Sequence, residues 1–160
     1  MSHPTEQQSV ARVRETLSRL GARGEVRELE DSARTAQEAA DALGIVPGQI
    51  ASSLVFLADG EPVLVIASGG HRVDELQLGS VLDATHVTKA SADEVRKATG
   101  FAIGGVAPVG HPKPLRTIVD IALSQFDEVW AAGGHPHYVF PTSYDELLRI
   151  TAGEAAEIGA

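Results

Sequence analysis

Ile50-Ala51-Ser52-Ser53-Leu54-Val55-Phe56-Leu57-Ala58-Asp59-Gly60-Glu61-Pro62-Val63-Leu64-Val65-Ile66-Ala67-Ser68 holds two apolar, strand-like runs, 50–58 and 62–68, joined through Asp59-Gly60. Asp-Gly is a strong hairpin signal, because the two central residues of a tight hairpin turn take positive φ, which Asp tolerates and Gly favours. An antiparallel pair is therefore expected. Nearly continuous hydrophobicity, in place of alternation, predicts strands covered on both faces. Ser52 and Ser53 point to opposite faces of such a strand, so at least one of them is read as a small packing residue.

Upstream, Val10, Val13, Leu17 and Leu20 share one face of a helix that Gly21 and Gly24 end, and 25–30 can form a short strand. Thr35-Ala36-Gln37-Glu38 is a capping box opening a second helix, with Ala36, Ala39, Ala40 and Leu43 as its small-residue face and Gly44 as its stop. Downstream, Ser91-Ala92-Asp93-Glu94 repeats the capping pattern for a helix ending near Gly100. The segments 117–121 and 127–132 read as strands, and Thr142 or Ser143 caps a last helix carrying Leu147, Leu148 and Ile150. No repeat or linker interrupts the 160 residues, so one α/β domain over 1–160 is expected.

The chain has no cysteine, which excludes a disulfide scaffold and any thiolate nucleophile or ligand. Thirteen basic against 22 acidic residues leave a net charge of −9, which opposes a broad grip on nucleic acid but not a pocket for one nucleotide or an RNA end. Met1-Ser2-His3-Pro4-Thr5-Glu6 lacks the basic flank and apolar run of a signal peptide, and no apolar run is long enough to span a bilayer. A soluble, cytoplasmic protein is the expectation.

Gly100-Phe101-Ala102-Ile103-Gly104-Gly105-Val106-Ala107-Pro108-Val109-Gly110 is the stretch richest in chemical information. Its glycines permit positive φ or close approach of a ligand, and Pro108 stiffens the loop. It is neither a Walker loop, since His111 stands where lysine should, nor a dinucleotide fingerprint. A binding loop and a structural turn both fit. His135-Pro136-His137 offers two metal ligands without a third, so neither metal nor cofactor is expected. No Gly-x-Ser-x-Gly surrounds Ser52 or Ser53. Asp120, at a strand end, can orient a water or cap the next turn. Arg72 can hold an anion or pair with Asp74, and Lys113 with Arg116 forms a small basic patch. These residues together describe a pocket for a small, partly anionic ligand.

The same residues resemble the YbaK/EbsC-like aminoacyl-tRNA editing domains, which also occur inserted in some prolyl-tRNA synthetases. The resemblance runs from about Thr35 to Ile150. Thr35 through Gly44 looks like the family's early helix, and Gln49-Ile50 with Leu54-Val55-Phe56 like its first central strand. Thr99-Gly100-Phe101 and the Gly104-to-Pro108 motif look like its signature loop, followed by Asp120 and Ala132-Gly133-Gly134 in family order. It implies a mixed, largely antiparallel sheet closing toward a barrel with helices around it. It also implies hydrolysis of the ester between a wrong amino acid and the acceptor end of a tRNA. No side-chain nucleophile or cofactor is called for: the neighbouring ribose hydroxyl assists an attacking water.

Carried onto this chain, the resemblance gives Gly104, Gly105 and Asp120 the hydrolytic roles, and Ser52, Arg72, Val106, Pro108, Gly134 and His135 the substrate contacts. A pocket lined by Ser52, Gly105, Asp120 and Gly134 is expected, with a methyl at Gly105 filling the aminoacyl space. The family usually carries a lysine where this chain has Ser52, so either another cation replaces it, with Arg72, Lys113 and Arg116 as candidates, or the pocket takes a different ligand, or catalysis is lost. A non-catalytic module binding an aminoacyl-adenosine-like ligand or an aminoacyl-tRNA synthetase remains the alternative to a free-standing deacylase of the prolyl-tRNA type.

Overall fold

The computed structural model describes residues 5–31, 33 and 35–159; His3 and the rest of the segment 1–4 lie outside the described residues. Five helices and eight strands are present among them. Helix α1 (Glu6–Arg19) is capped by Thr5, whose hydroxyl accepts from Gln8 N while the Gln8 side chain accepts from Thr5 N, and it buries Val10, Val13 and Leu17 as its spacing predicts. Strand β1 (Arg27–Glu28) follows, then α2 (Ala36–Leu43), which Thr35 opens and Gly44, in the left-handed conformation, closes.

The hairpin forms as its sequence predicts. Strands β2 (Ile50–Ala58) and β3 (Glu61–Ser68) pair antiparallel from Ala51↔Ser68 to Ala58↔Glu61, with Asp59 and Gly60 both at positive φ. Helix α3 (Glu75–Leu82) and strand β4 (Val87–Lys89) come next, then α4 (Ala92–Thr99), capped by Ser91 with the reciprocal Glu94 bond. Strands β5 (Arg116–Asp120), β6 (Val129–Ala132) and β7 (Tyr138–Thr142), helix α5 (Tyr144–Thr151) opened by Ser143, and strand β8 (Glu154–Ala156) complete the chain.

The strands form one mixed sheet, ordered β1-β7-β6-β2-β3-β5-β8 with β4 joined to β2. Four of its seven pairings are antiparallel, and β2–β6, β3–β5 and β5–β8 are parallel. The order ends in β1 and β8, so the sheet remains open instead of closing into a barrel. Leu64 and Ile66 of β3 enter the core formed with Val13, Phe101, Phe140 and Leu147. Val63, Val65 and Ala67 enter the opposite core, with Leu78, Ile118 and Ile158. Each such full burial is worth about 2 kcal/mol of transfer free energy, which is what fixes the hairpin between two apolar layers.

Strand β2 breaks that pattern. Strand β3 occupies one edge of it along almost its whole length, while the other edge meets β6 at Ile50 and Ala51 and β4 at Phe56 to Ala58. Between them Ser52, Ser53 and Leu54 have no strand partner on that edge among the described residues. Leu54 is 39% exposed, contrary to the two-sided burial expected of it.

Candidate active site

The gap on β2 faces the glycine loop. Gly100, at φ 79°, ends α4, and Phe101 is buried beside it with its N–H donating to Thr99 Oγ1. The Arg12 guanidinium lies 4.6 Å from the centre of the Phe101 ring, and His111 Nε2 donates to Ala107 O at 2.8 Å. Burial holds the His111 imidazole below its usual pKa; the Ala107 bond opposes this and the nearby Arg12 charge adds to it. Phe101 and Val106 to Val109 are buried, so the loop is anchored on both sides of its tip, where Ile103 is 56% exposed and Gly104 sits at φ 90°.

Loop and gap border a cavity of about 150 Å³. Ala36, Ala39, Ile50, Trp130 and Val139 make its wall largely apolar, and Ser52, Ser53, Gly104 and Val106 complete it. Ser53 Oγ is buried with no hydrogen-bond partner among the described residues, an arrangement that in a native fold calls for an explanation. Among the described residues no protein acceptor takes the amides of Gly104 or Val106, whereas Gly105 N donates to Ala102 O at 3.0 Å.

The residues expected to form the site divide accordingly. Ser52, Gly104 and Val106 are brought together at the cavity. Gly105 lies behind it: an added Cβ would stand 2.7 Å from His135 Cα and 2.8 Å from Pro136 Cδ, so a methyl there meets protein and not ligand space. Gly134 packs on α1 and Phe101, where an added Cβ would lie 3.0 Å from Ser9 O and from Val13 Cγ2. Pro108 is buried within the loop. His135 stacks on His137 at 5.3 Å, and it is Pro136 that reaches the cavity wall. Among the described residues no cluster of three potential metal ligands occurs.

Asp120 is placed elsewhere. It is 1% exposed; Oδ2 accepts from Ser68 N at 3.0 Å and faces His71 Nε2 at 2.5 Å, while Oδ1 accepts from Ala122 N at 2.9 Å. Its carboxylate ties β5 to the end of β3 and caps the following turn, and it lines neither the cavity nor the cleft beside it. Arg72 is exposed in that neighbouring cleft, which also contains Ser52; Asp74, its expected partner, instead caps α3. Lys113 and Arg116 line a separate cleft, and Arg116 pairs with Glu154 at 3.0 Å. Ser53, Trp130 and Ala39 were not singled out from the sequence as site residues. Trp130 is brought beside β2 by the parallel β2–β6 pairing, for which no local pattern exists.

Comparisons with known proteins agree with this architecture. The profile of the aminoacyl-tRNA editing domain matches residues 30–150. Proline–tRNA ligase of Bacillus licheniformis is 33% identical over 133 residues, covering 81% of this chain but 23% of the ligase. The uncharacterised protein YwhH of Bacillus subtilis is 31% identical over 150 residues, 93% of this chain and 90% of that protein. A solved structure provisionally described as a trans-editing enzyme for prolyl tRNA synthetase superposes with a TM-score of 0.89 at 41% identity, covering 95% of this chain and 97% of that one.

Proposed function

The chain belongs to the aminoacyl-tRNA editing domain family, and from that premise we propose that it is a free-standing deacylase that hydrolyses the ester joining an amino acid to the terminal ribose of a mischarged tRNA, prolyl-tRNA being the type the relatives suggest. The observation that carries this reading is the cavity between the β2 gap and the glycine loop. Its volume of about 150 Å³ suits a small apolar side chain, a space comparable to cavities that take up benzene. The orphaned Ser53 hydroxyl gives the amino acid or its ester one polar contact within that apolar wall.

An aminoacyl ester is already activated, so holding it in place and stabilising the tetrahedral oxyanion are sufficient tasks for the protein. Water attacks the carbonyl carbon, assisted by the ribose hydroxyl beside the ester. The carbonyl oxygen takes the negative charge, with the amides of Gly104 and Val106 as donors. Collapse breaks the acyl–oxygen bond, the ribose oxygen takes up a proton, and the free amino acid leaves. Asp120 and Gly105 have scaffolding roles, holding the strand end and the back of the loop.

A panel of tRNAs charged with amino acids of graded size tests the proposal. Rapid deacylation of small aliphatic charges is expected, with Ala132→Val, which fills the cavity, depressing the larger ones most. Charged tRNA that is bound but cleaved no faster than in buffer would instead favour the binding module.

A further inference from the structure

A second cleft, of about 540 Å³, runs from the cavity along the same strand and shares Ala36, Ser52 and Leu54 with it. Ser52, Leu54 and Phe56 lie on one face of β2 by the two-residue period, and Lys89 of β4 stands opposite Phe56 on that face. Arg72 enters from the other side, after the turn that follows β3. Both cations are exposed, and among the described residues neither makes an ion pair. The cavity itself has no Lys or Arg in its wall among the described residues.

We propose that this cleft holds the phosphodiester groups of the RNA strand that leads to the ester, with Lys89 and Arg72 as their counter-charges. The inference rests on the deacylase reading and adds the seat of the polyanion. The strand next to a seated terminal ribose carries a negative charge at each nucleotide, so it must leave over a surface that compensates it. A chain of net charge −9 repels a polyanion overall. Beyond about 8 Å, however, physiological salt screens that background, and local cations decide where the strand lies. Lys97, Lys113 and Arg116 cannot serve: their cleft shares no residue with the cavity and also contains Asp59, Glu61 and Asp83. Lys89 was not among the cations expected to replace the charge that Ser52 lacks. Only its pairing with β2 brings it there. Glu75 lies in the same cleft and opposes an anion, which supplies a control of opposite sign.

The test is binding of an uncharged single-stranded RNA ending in the tRNA acceptor sequence, measured across salt concentrations. Lys89→Ala is expected to weaken binding about fivefold, the scale of one exposed charge contact, and to lower the salt slope by about 0.7, one phosphate's share for a single strand. Glu75→Gln should tighten binding, an effect that misfolding cannot imitate. In hydrolysis, Lys89→Ala should lower the ratio of the rate on aminoacyl-tRNA to that on phosphate-free aminoacyl-adenosine. RNA binding and salt slope unchanged in both Lys89→Ala and Arg72→Ala would overturn the proposal, as would absence of RNA binding by the native protein. RNA binding that responds to Lys89 without any ester hydrolysis would remove the deacylase reading and leave the cleft standing.

Discussion

Strands β2 and β3 are two arms of one hairpin, similar in composition and length, yet they have different tasks. Every residue of β3 from Val63 to Ser68 is buried, its side chains divided between two cores. Strand β2 is buried at Ile50, Ala51, Val55 and Phe56 and open at Ser52 to Leu54, where neither β6 nor β4 reaches it. The difference lies in the neighbours. Strand β3 has a full-length partner on one edge and β5 on the other, while β2 has two short partners with a gap between them. A break in pairing at the centre of a sheet exposes backbone and side chains on a rigid support, which suits a site better than a flexible surface loop does.

The sharpest way to break this comparison is to damage β3. Ile66 is 0% exposed, and Ile66→Ala removes buried volume that the surrounding sheet cannot refill. A destabilisation of about 2–5 kcal/mol is expected in denaturant unfolding, with unchanged specificity in whatever folds. A loss below about 1 kcal/mol would show that β3 is no more a core strand than β2.

Gly105→Ala probes the loop that covers the gap. The new methyl would stand 2.7 Å from a backbone carbon of His135, so the chain must shift to admit it. Overpacking of this kind costs about 1–3 kcal/mol, and melting temperature and activity should fall together. A protein of native stability that lacks only hydrolysis would restore the sequence-based expectation that this methyl points at the substrate.

How much of this was legible beforehand depended on whether the signal was local. The hairpin, the caps at Thr35, Ser91 and Ser143 and the glycine loop all declare themselves within a few residues, and the structure contains each of them. Helix α3 was missed because Gly79 interrupts it. That glycine lies where an added Cβ would be 3.5 Å from Ala84 O and from Val87. Strand β7 has strand-favouring Tyr138, Val139, Phe140 and Thr142 but is interrupted by Pro141, and β8, Glu154-Ala155-Ala156, has no β-branched residue. Of the residues named from the sequence, Ser52, Gly104 and Val106 line one cavity. The turn cap by Asp120 is local and legible, but its bond to Ser68 and the pairing of Lys89 across from Phe56 are not, because both depend on contacts between distant segments.

Ser53→Ala has the smallest expected effect on stability and is the most discriminating variant for the gap. A buried hydroxyl without a partner costs about 1–3 kcal/mol of desolvation that no described residue returns. Replacing it by hydrogen, as alanine does, removes that cost and should leave unfolding free energy unchanged or slightly higher. If the hydroxyl bonds the amino acid or its ester, the same change should lower the deacylation rate constant about tenfold, the scale of one lost hydrogen bond. Stability and activity would then move in opposite directions, a combination that a packing residue does not produce. A destabilised variant with intact hydrolysis would return Ser53 to the core and make β2 at this point an ordinary strand.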